Sequence, residues 1–421
     1  MKSTGVLVKL SGPLVSHLAA LAAAAPAEHE ILPLFTVAAE PPSPSQAATA
    51  AAAVPQHSWV LVRPRAEGLV AQAAVQHPWD TAHAIRRQLG ARAVAAEPDL
   101  EQAWLPEVPG GENTPTMAAR AADASAPDGE KGAPYVRGPH PNWHLDDDYT
   151  QLRAAREAVG KDGSTIKIVH LDTGYDPNHK ARPQFIVTEE ERNFVDADSP
   201  NSAVDRTPEA GVLLNRGHGT GTIGILAGSK VAGVRPTQDG KSLDGETLGG
   251  APMMRIVPVR IANSVVHFGT GAVAQGIDYA VSIGADVVSM SMGGLPSQAW
   301  ADAVNKAYEA GVVVVCAAGN NFGGLPTSLV VYPARFDRVI AACGAMADKS
   351  PYLNLPPYAM EGNAGPASKM VTALAAYTPN IPWARLGVPD WIDLDGGGTS
   401  ADRGSSLGDS WRNATSAASC G

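Results

Sequence analysis

The chain has 421 residues, of which 44% are hydrophobic, and a net charge of −10; this allows two or three domains with a sizeable core. The acidic balance excludes a basic field that would attract nucleic acid or anionic lipid, and no apolar run is long enough for a membrane-spanning helix. Three cysteines, Cys316, Cys343 and Cys420, are too few for a disulfide framework.

Gly5 to Leu10 reads as a strand, Ser16 to Ala25 as a short helix and Glu30 to Val37 as a second strand. Lys2, Lys9 and the apolar stretch ending at Ala25-Pro26-Ala27 also allow a signal peptide. Residues 1–37 are therefore read as an α/β-like segment, and 38–56 as an Ala/Pro/Ser linker. A second small unit spans 57–105: a strand at Ser58 to Val62, a helix at Asp80 to Leu89, then strands at Ala93 to Ala96 and Leu100 to Leu105. Such a unit is marginal alone and needs a larger partner. Residues 106–138, rich in Pro, Gly, Asp and Ala, read as an exposed connection open to proteolysis.

From residue 139 onward the texture changes. Tyr149 to Val159 reads as an amphipathic helix. Short apolar runs follow at Ile166 to Leu171, Arg255 to Ile261, Val287 to Met290, Val312 to Ala317 and Val339 to Ala342. They suit buried parallel strands. Helical patterns at Thr220 to Gly228, Gly271 to Ile283 and Gln298 to Ala310 alternate with them, which predicts an α/β fold with a doubly wound, mostly parallel sheet. In such sheets the functional loops lie at the C-terminal strand ends.

Four motifs sit where that rule places them. Asp172-Thr173-Gly174 ends the first strand, and Gly217-His218-Gly219-Thr220 opens a small-residue helix. Ala317-Ala318-Gly319-Asn320 ends the strand from Val312, and Gly398-Thr399-Ser400-Ala401 follows a glycine run. Each alone is an ordinary turn. No G-x-G-x-x-G follows the first strand, which disfavours a dinucleotide-binding reading.

In the order Asp, His, Asn, Ser these motifs resemble the subtilisin-like serine proteases over residues 140–401. The resemblance implies a triad of Asp172, His218 and Ser400, with Asn320 in the oxyanion hole. It implies substrate contacts at Ser291, Met292 and Gly293, in the S-x-S-x-G-G-like run from Ser289 to Gly294, and at Ala317, Ala318 and Gly319. The activity implied is a serine endopeptidase acting on polypeptides, made as a proenzyme. Its own propeptide is a partner: residues 57–105, with Glu97-Pro98-Asp99, resemble the family's propeptides. No cofactor is required. Asp196 and Asp198 read as a solvated loop or as a structural calcium site. The family implies a secreted or cell-envelope protein, with a cytoplasmic location also open. His170 reads as a packed core residue and His179 as structural.

The resemblance stops one residue past the serine. Family members continue into a long Ala-rich helix, whereas residues 402–421 carry Gly404 and Gly408 and no apolar stripe. That pattern reads as a frameshift followed by an early stop. It sets a second expectation beside the first: a catalytically impaired, truncated subtilisin-like protein that at most binds peptides.

Overall fold

The computed structural model describes residues 3–25, 29–38, 56–65, 78–103, 138–208, 214–237, 240–265, 267–322, 329–354, 360–378 and 381–394. Most of both linkers lies outside these residues, as do Ser400, Cys420 and the whole stretch from 395 to 421.

The elements run in this order: β1 (Ser3–Leu10), α1 (Leu18–Ala24), β2 (His29–Ala38), β3 (Gln56–Pro64), α2 (Pro78–Leu89), β4 (Ala93–Ala103), α3 (Leu152–Val159), β5 (Lys167–Asp172), β6 (Arg192–Asn193), α4 (His218–Ala227), β7 (Arg255–Arg260), β8 (His267–Gly269), α5 (Thr270–Ser282), β9 (Val287–Met290), α6 (Gln298–Glu309), β10 (Val313–Ala317), β11 (Asn320–Phe322), β12 (Val339–Ala345), β13 (Leu353–Asn354), β14 (Met360–Gly362), β15 (Ala373–Tyr377), β16 (Pro382–Ala384) and β17 (Ile392–Leu394). A seven-stranded sheet has the order β15-β12-β10-β9-β5-β7-β6, and every neighbouring pair in it is parallel. β5 lies between β9 and β7, so its residues are buried throughout. The expected doubly wound sheet is present.

The N-terminal part differs from its expected division. β1 and β2 belong to the same antiparallel sheet as β3 and β4, in the order β2-β3-β1-β4-β8. β1 lies between β3 and β4. Residues 3–103 thus fold as one unit across the linker, not as two segments. Residues 3–10 are an interior strand of that unit, so cleavage after Ala25 would remove its centre. β4 also runs unbroken through Glu97-Pro98-Asp99, where two separate strands were expected.

This sheet is covered on both faces, which explains why β1 and β3 read as continuous apolar runs. Val6, Val8, Val60 and Val62 pack against Leu21 of α1 and Ile85 of α2. On the other face Leu7, Trp59 and Leu61 join a core that includes Val273 of α5 and Trp300 of α6. Trp59 Nε1 and Lys9 Nζ both reach Asp302 Oδ2, each at 2.8 Å.

Glu97 and Asp99 are two residues apart on a strand, so they point to the same side. There they meet two helix N-termini. Glu97 accepts from Ser297 Oγ at 2.9 Å and from the amides of Gln298 and Ala299, each at 3.0 Å, at the start of α6. Asp99 Oδ1 accepts from Gly271 N at 2.8 Å, at the start of α5. The first-turn amides of a helix have no partner inside it and carry the positive end of its dipole, so both carboxylates are stabilising there. Loss of each cap should cost about 1 kcal/mol. In a Glu97→Ala, Asp99→Ala double variant, hydrogen exchange at Gln298, Ala299 and Gly271 should quicken roughly fivefold on that basis. Unchanged exchange would show that these contacts do not hold the two parts together.

α4 is buried along its whole length, which suits a helix with no polar face. Ile223 and Leu226 pack on Ile168 and Ile256 of the parallel sheet. Ile225 faces the other way, into a cluster with Trp143, Ile381 and Trp383. Gly221 is required there, because a Cβ would lie 1.9 Å from Trp383 Cε2.

His144, beside Trp143, is buried with both ring nitrogens unpartnered. Burial, reinforced by Arg156 and Arg153, pushes its pKa down to about 3 from an ordinary 6.5. The unfolded chain therefore takes up a proton near pH 6.5 that the folded chain refuses until about pH 3. Stability should fall with acidification across that window, at up to about 1.4 kcal/mol per pH unit for this group. His144→Leu should flatten the dependence of the urea midpoint on pH between 6 and about 4; an unaltered slope would exclude His144 as its source.

Candidate active site

β5 carries Ile168, His170 and Asp172 on one face, toward α4. α4 presents His218, Thr222 and Leu226 four residues apart. Two strand residues advance about 6.6 Å and four helix residues about 6 Å, so the two rows run in step. Asp172 meets His218, His170 meets Thr222, and Ile168 and Leu226 share an apolar cluster.

His218 Nδ1 donates to Asp172 Oδ1 at 2.7 Å, with both side chains buried. The same oxygen accepts from Thr173 N at 2.7 Å, and Oδ2 accepts from Thr222 Oγ1 at 3.1 Å. Burial alone would raise the Asp172 pKa; the charge and hydrogen bond of His218 outweigh it and hold the carboxyl below its usual range. The Trp383 ring stands edge-on to His218, with centroids 5.6 Å apart.

The histidine loop and the aspartate loop are tied together from behind. Gly219 must be glycine, since a Cβ would lie 2.0 Å from Gly174 O. Gly217 adopts φ +81°, in the left-handed region that glycine enters without strain. Gly219 N donates to Thr173 Oγ1 at 3.0 Å. Thr173 Oγ1 and Gly217 N both donate to Asp205 Oδ2, at 3.1 and 2.8 Å. Arg260, with no exposure, reaches the Thr173 carbonyl, Asn263 Oδ1, Ala262 O at 2.9 Å and Asp196 Oδ2 at 2.9 Å; its Nη1 lies 3.8 Å from Asp205 Oδ1.

These arginines bear on the calcium reading. Asp196 is taken by Arg260 and by Asn193 Nδ2 at 3.0 Å. Asp198 makes a two-pronged pair with Arg206 at 2.9 and 3.1 Å. In this structure each of the two carboxylates is paired with a guanidinium. His179 has a structural setting: Nδ1 accepts from Ala181 N and Nε2 donates to Trp391 O, each at 3.0 Å.

Ser291, Met292 and Gly293 continue from the end of β9, and Ala317, Ala318 and Gly319 run off the end of β10. The two segments are linked, because Cys316 Sγ donates to Met292 O at 3.2 Å. Burial pushes that thiol up to about 12, so it is inert. Val331, which the sequence did not single out, lies between the two segments. A Cβ at Gly293 would stand 2.5 Å, and one at Gly319 2.8 Å, from its Cγ2. Asn320 opens β11, directly after Gly319, and pairs with Gly362. Ser400 lies outside the described residues, so its distance to His218 is not part of this geometry.

A further edge was not legible in the sequence. β8 pairs antiparallel with the end of β4: Glu101 with Gly269, Gln102 with Phe268 and Ala103 with His267. The chain's own extended segment thus adds a strand to the edge of the larger part, as an extended peptide ligand does.

Among the described residues no helix is long and apolar enough to cross a membrane. A family model, described as "Subtilase family", matches residues 163–391, more than half of the chain. Similar curated proteins include subtilisin DY of Bacillus licheniformis, 31% identical over 46% of this chain and 61% of its own length. The major intracellular serine protease of Bacillus subtilis (strain 168) is 33% identical over 44% of this chain and 52% of its own. Minor extracellular protease Epr of the same organism is 32% identical over 47% of this chain and 26% of its own. The chain therefore spans less than two thirds of the length of each. Relatives named as intracellular and as extracellular are both present, so the compartment stays open. The match covers β5, α4 and the ends of β9 and β10, the elements that bring Asp172 to His218 and carry the two linked segments: the chain belongs to the subtilase family.

Proposed function

We propose that the chain is a serine endopeptidase acting through Asp172, His218 and Ser400. The observation that carries this reading is the buried 2.7 Å hydrogen bond from His218 Nδ1 to Asp172 Oδ1. It fixes the tautomer in which Nε2 is the basic nitrogen, the state a general base needs. In the proposed reaction Ser400 Oγ attacks the peptide carbonyl while His218 Nε2 removes its proton. Asp172 stays ionised and stabilises the imidazolium. The Asn320 amide and the Ser400 N–H receive the oxyanion. His218 then returns the proton to the leaving amine, and water releases the acyl group. No step needs a metal. Residues 291–293 and 317–319 would flank the residue before the cut. Residues 3–103 would act as the propeptide, with 101–103 holding the β8 edge that a substrate would otherwise take.

The test is hydrolysis of a denatured protein substrate by the full chain. Peptide release that stops with a sulfonyl fluoride and is absent in His218→Ala supports the proposal. A folded chain that releases no peptide overturns it in favour of a peptide-binding, catalytically impaired relative, the reading motivated by Gly404 and Gly408 after the serine motif.

A further inference from the structure

We propose that His170 and Thr222 are positioning residues, forming a hydrogen-bonded relay behind Asp172 that fixes its carboxylate against His218. The inference rests on the proposed protease function. Its geometry concerns a pair of side chains which that mechanism leaves unused.

His170 Nε2 lies 2.9 Å from Thr222 Oγ1, and Thr222 Oγ1 lies 3.1 Å from Asp172 Oδ2. A hydroxyl has one hydrogen to give. Among the oxygens it faces, Asp172 Oδ2 is the nearest and the only charged one; the carbonyls of His218 and Gly219 lie at 3.2 and 3.3 Å. With respect to His170 two arrangements are open. Thr222 can donate to His170 and leave Asp172 Oδ2 without its donor. Or His170 Nε2–H can donate to Thr222, whose hydrogen then goes to Asp172. The negative carboxylate, 3.8 Å from His170 Nε2, favours the second, because it places an N–H rather than a lone pair toward the charge. Burial keeps the imidazole neutral, with a pKa pushed down to about 4. The titratable groups facing His170 are Asp172 and His218.

The relay completes the setting of Asp172. Oδ1 is held by His218 and Thr173, and Oδ2 by Thr222. With donors on both oxygens the carboxylate cannot turn about its Cβ–Cγ bond without losing one. Two apolar side chains would fill the space between β5 and α4 with no desolvation penalty. A polar pair buried there, at 1% and 0% exposure, is accounted for by what it does to Asp172.

The test compares the full chain with His170→Val, Thr222→Val as a double variant, and with Thr222→Ser. The double variant removes His170 and Thr222 together, so neither is left facing an unpartnered polar neighbour; the group that loses its donor is Asp172 Oδ2, the effect under test, and near-ultraviolet circular dichroism checks that the variant is folded. Two readouts are taken. The first is the rate of labelling by a fluorophosphonate, expected to fall about tenfold in the double variant, as for a sub-ångström misplacement, and to stay within about threefold in Thr222→Ser, which keeps the hydroxyl. The second is the proton NMR signal of His218 Nδ1–H, far downfield in the parent and Thr222→Ser, and broadened by solvent exchange in the double variant. Parent-like labelling and an unbroadened signal in the double variant would overturn the relay. A parent that fails to label would instead defeat the protease reading, and the NMR comparison would still decide the relay.

Discussion

Asp172→Ala is expected to slow fluorophosphonate labelling by about 10⁴-fold, the loss seen when triads of this kind lose their aspartate. The structure gives three reasons. His218 Nδ1 loses its acceptor at 2.7 Å, so the tautomer with a basic Nε2 is no longer selected. The imidazolium formed during attack loses a buried counter-charge. Thr173 N and Thr222 Oγ1 lose the acceptor they share, which loosens both loops around the histidine. The rate is to be measured per folded molecule, with near-ultraviolet circular dichroism as the check. A folded Asp172→Ala protein that labels within tenfold of the parent would remove Asp172 from the mechanism.

The second large effect is on stability. Arg260→Met should lower the unfolding free energy by about 3–5 kcal/mol, as expected when one member of a buried ion pair is removed. Arg260 is wholly buried and makes hydrogen bonds to three different segments: the Thr173 carbonyl, the 262–263 loop and Asp196. Removing it leaves Asp205 buried without its nearby cation. Asp205 is also the acceptor for Thr173 Oγ1 and Gly217 N, so the change reaches the histidine loop. Urea denaturation measures the loss, and Arg260→Lys, which keeps the charge but not the planar fork, should recover only part of it. A loss under 1 kcal/mol in Arg260→Met would show that Asp205 and Asp196 are satisfied without the guanidinium.

The parallel sheet and its site pair were legible because strand and helix periods are local. Apolar runs at 166–171 and 312–317, each ending in a polar motif, place their last residues at the sheet's C-terminal edge whatever else the chain does. The antiparallel N-terminal unit was not legible in that way. Its central strand, residues 3–10, pairs with residues 58–62 and 93–100, and nothing local to Gly5 to Leu10 states those partners. The linker at 38–56 looked like a boundary between units, yet it joins two adjacent strands of one sheet.

His170 was read as core packing because it sits within an apolar strand. It is buried there, and its hydrogen bond to Thr222 was signalled in two places. His170 precedes Asp172 by two residues on a strand, and Thr222 follows His218 by four on a helix, so the second pair repeats the spacing of the first. Arg260 was hidden in the same way, as the last polar residue of an apolar run. Val331 and the β8 edge carry no local pattern at all, because their roles come from what packs beside them.

The central claim is that the Asp172–His218 pair activates Ser400. Its most direct test is to treat the full chain with a fluorophosphonate, digest it and locate the adduct by mass spectrometry. The account predicts an adduct on Ser400, absent in Ser400→Ala and reduced by orders of magnitude in His218→Ala. A folded chain that forms no adduct, or forms it on another residue, would contradict it.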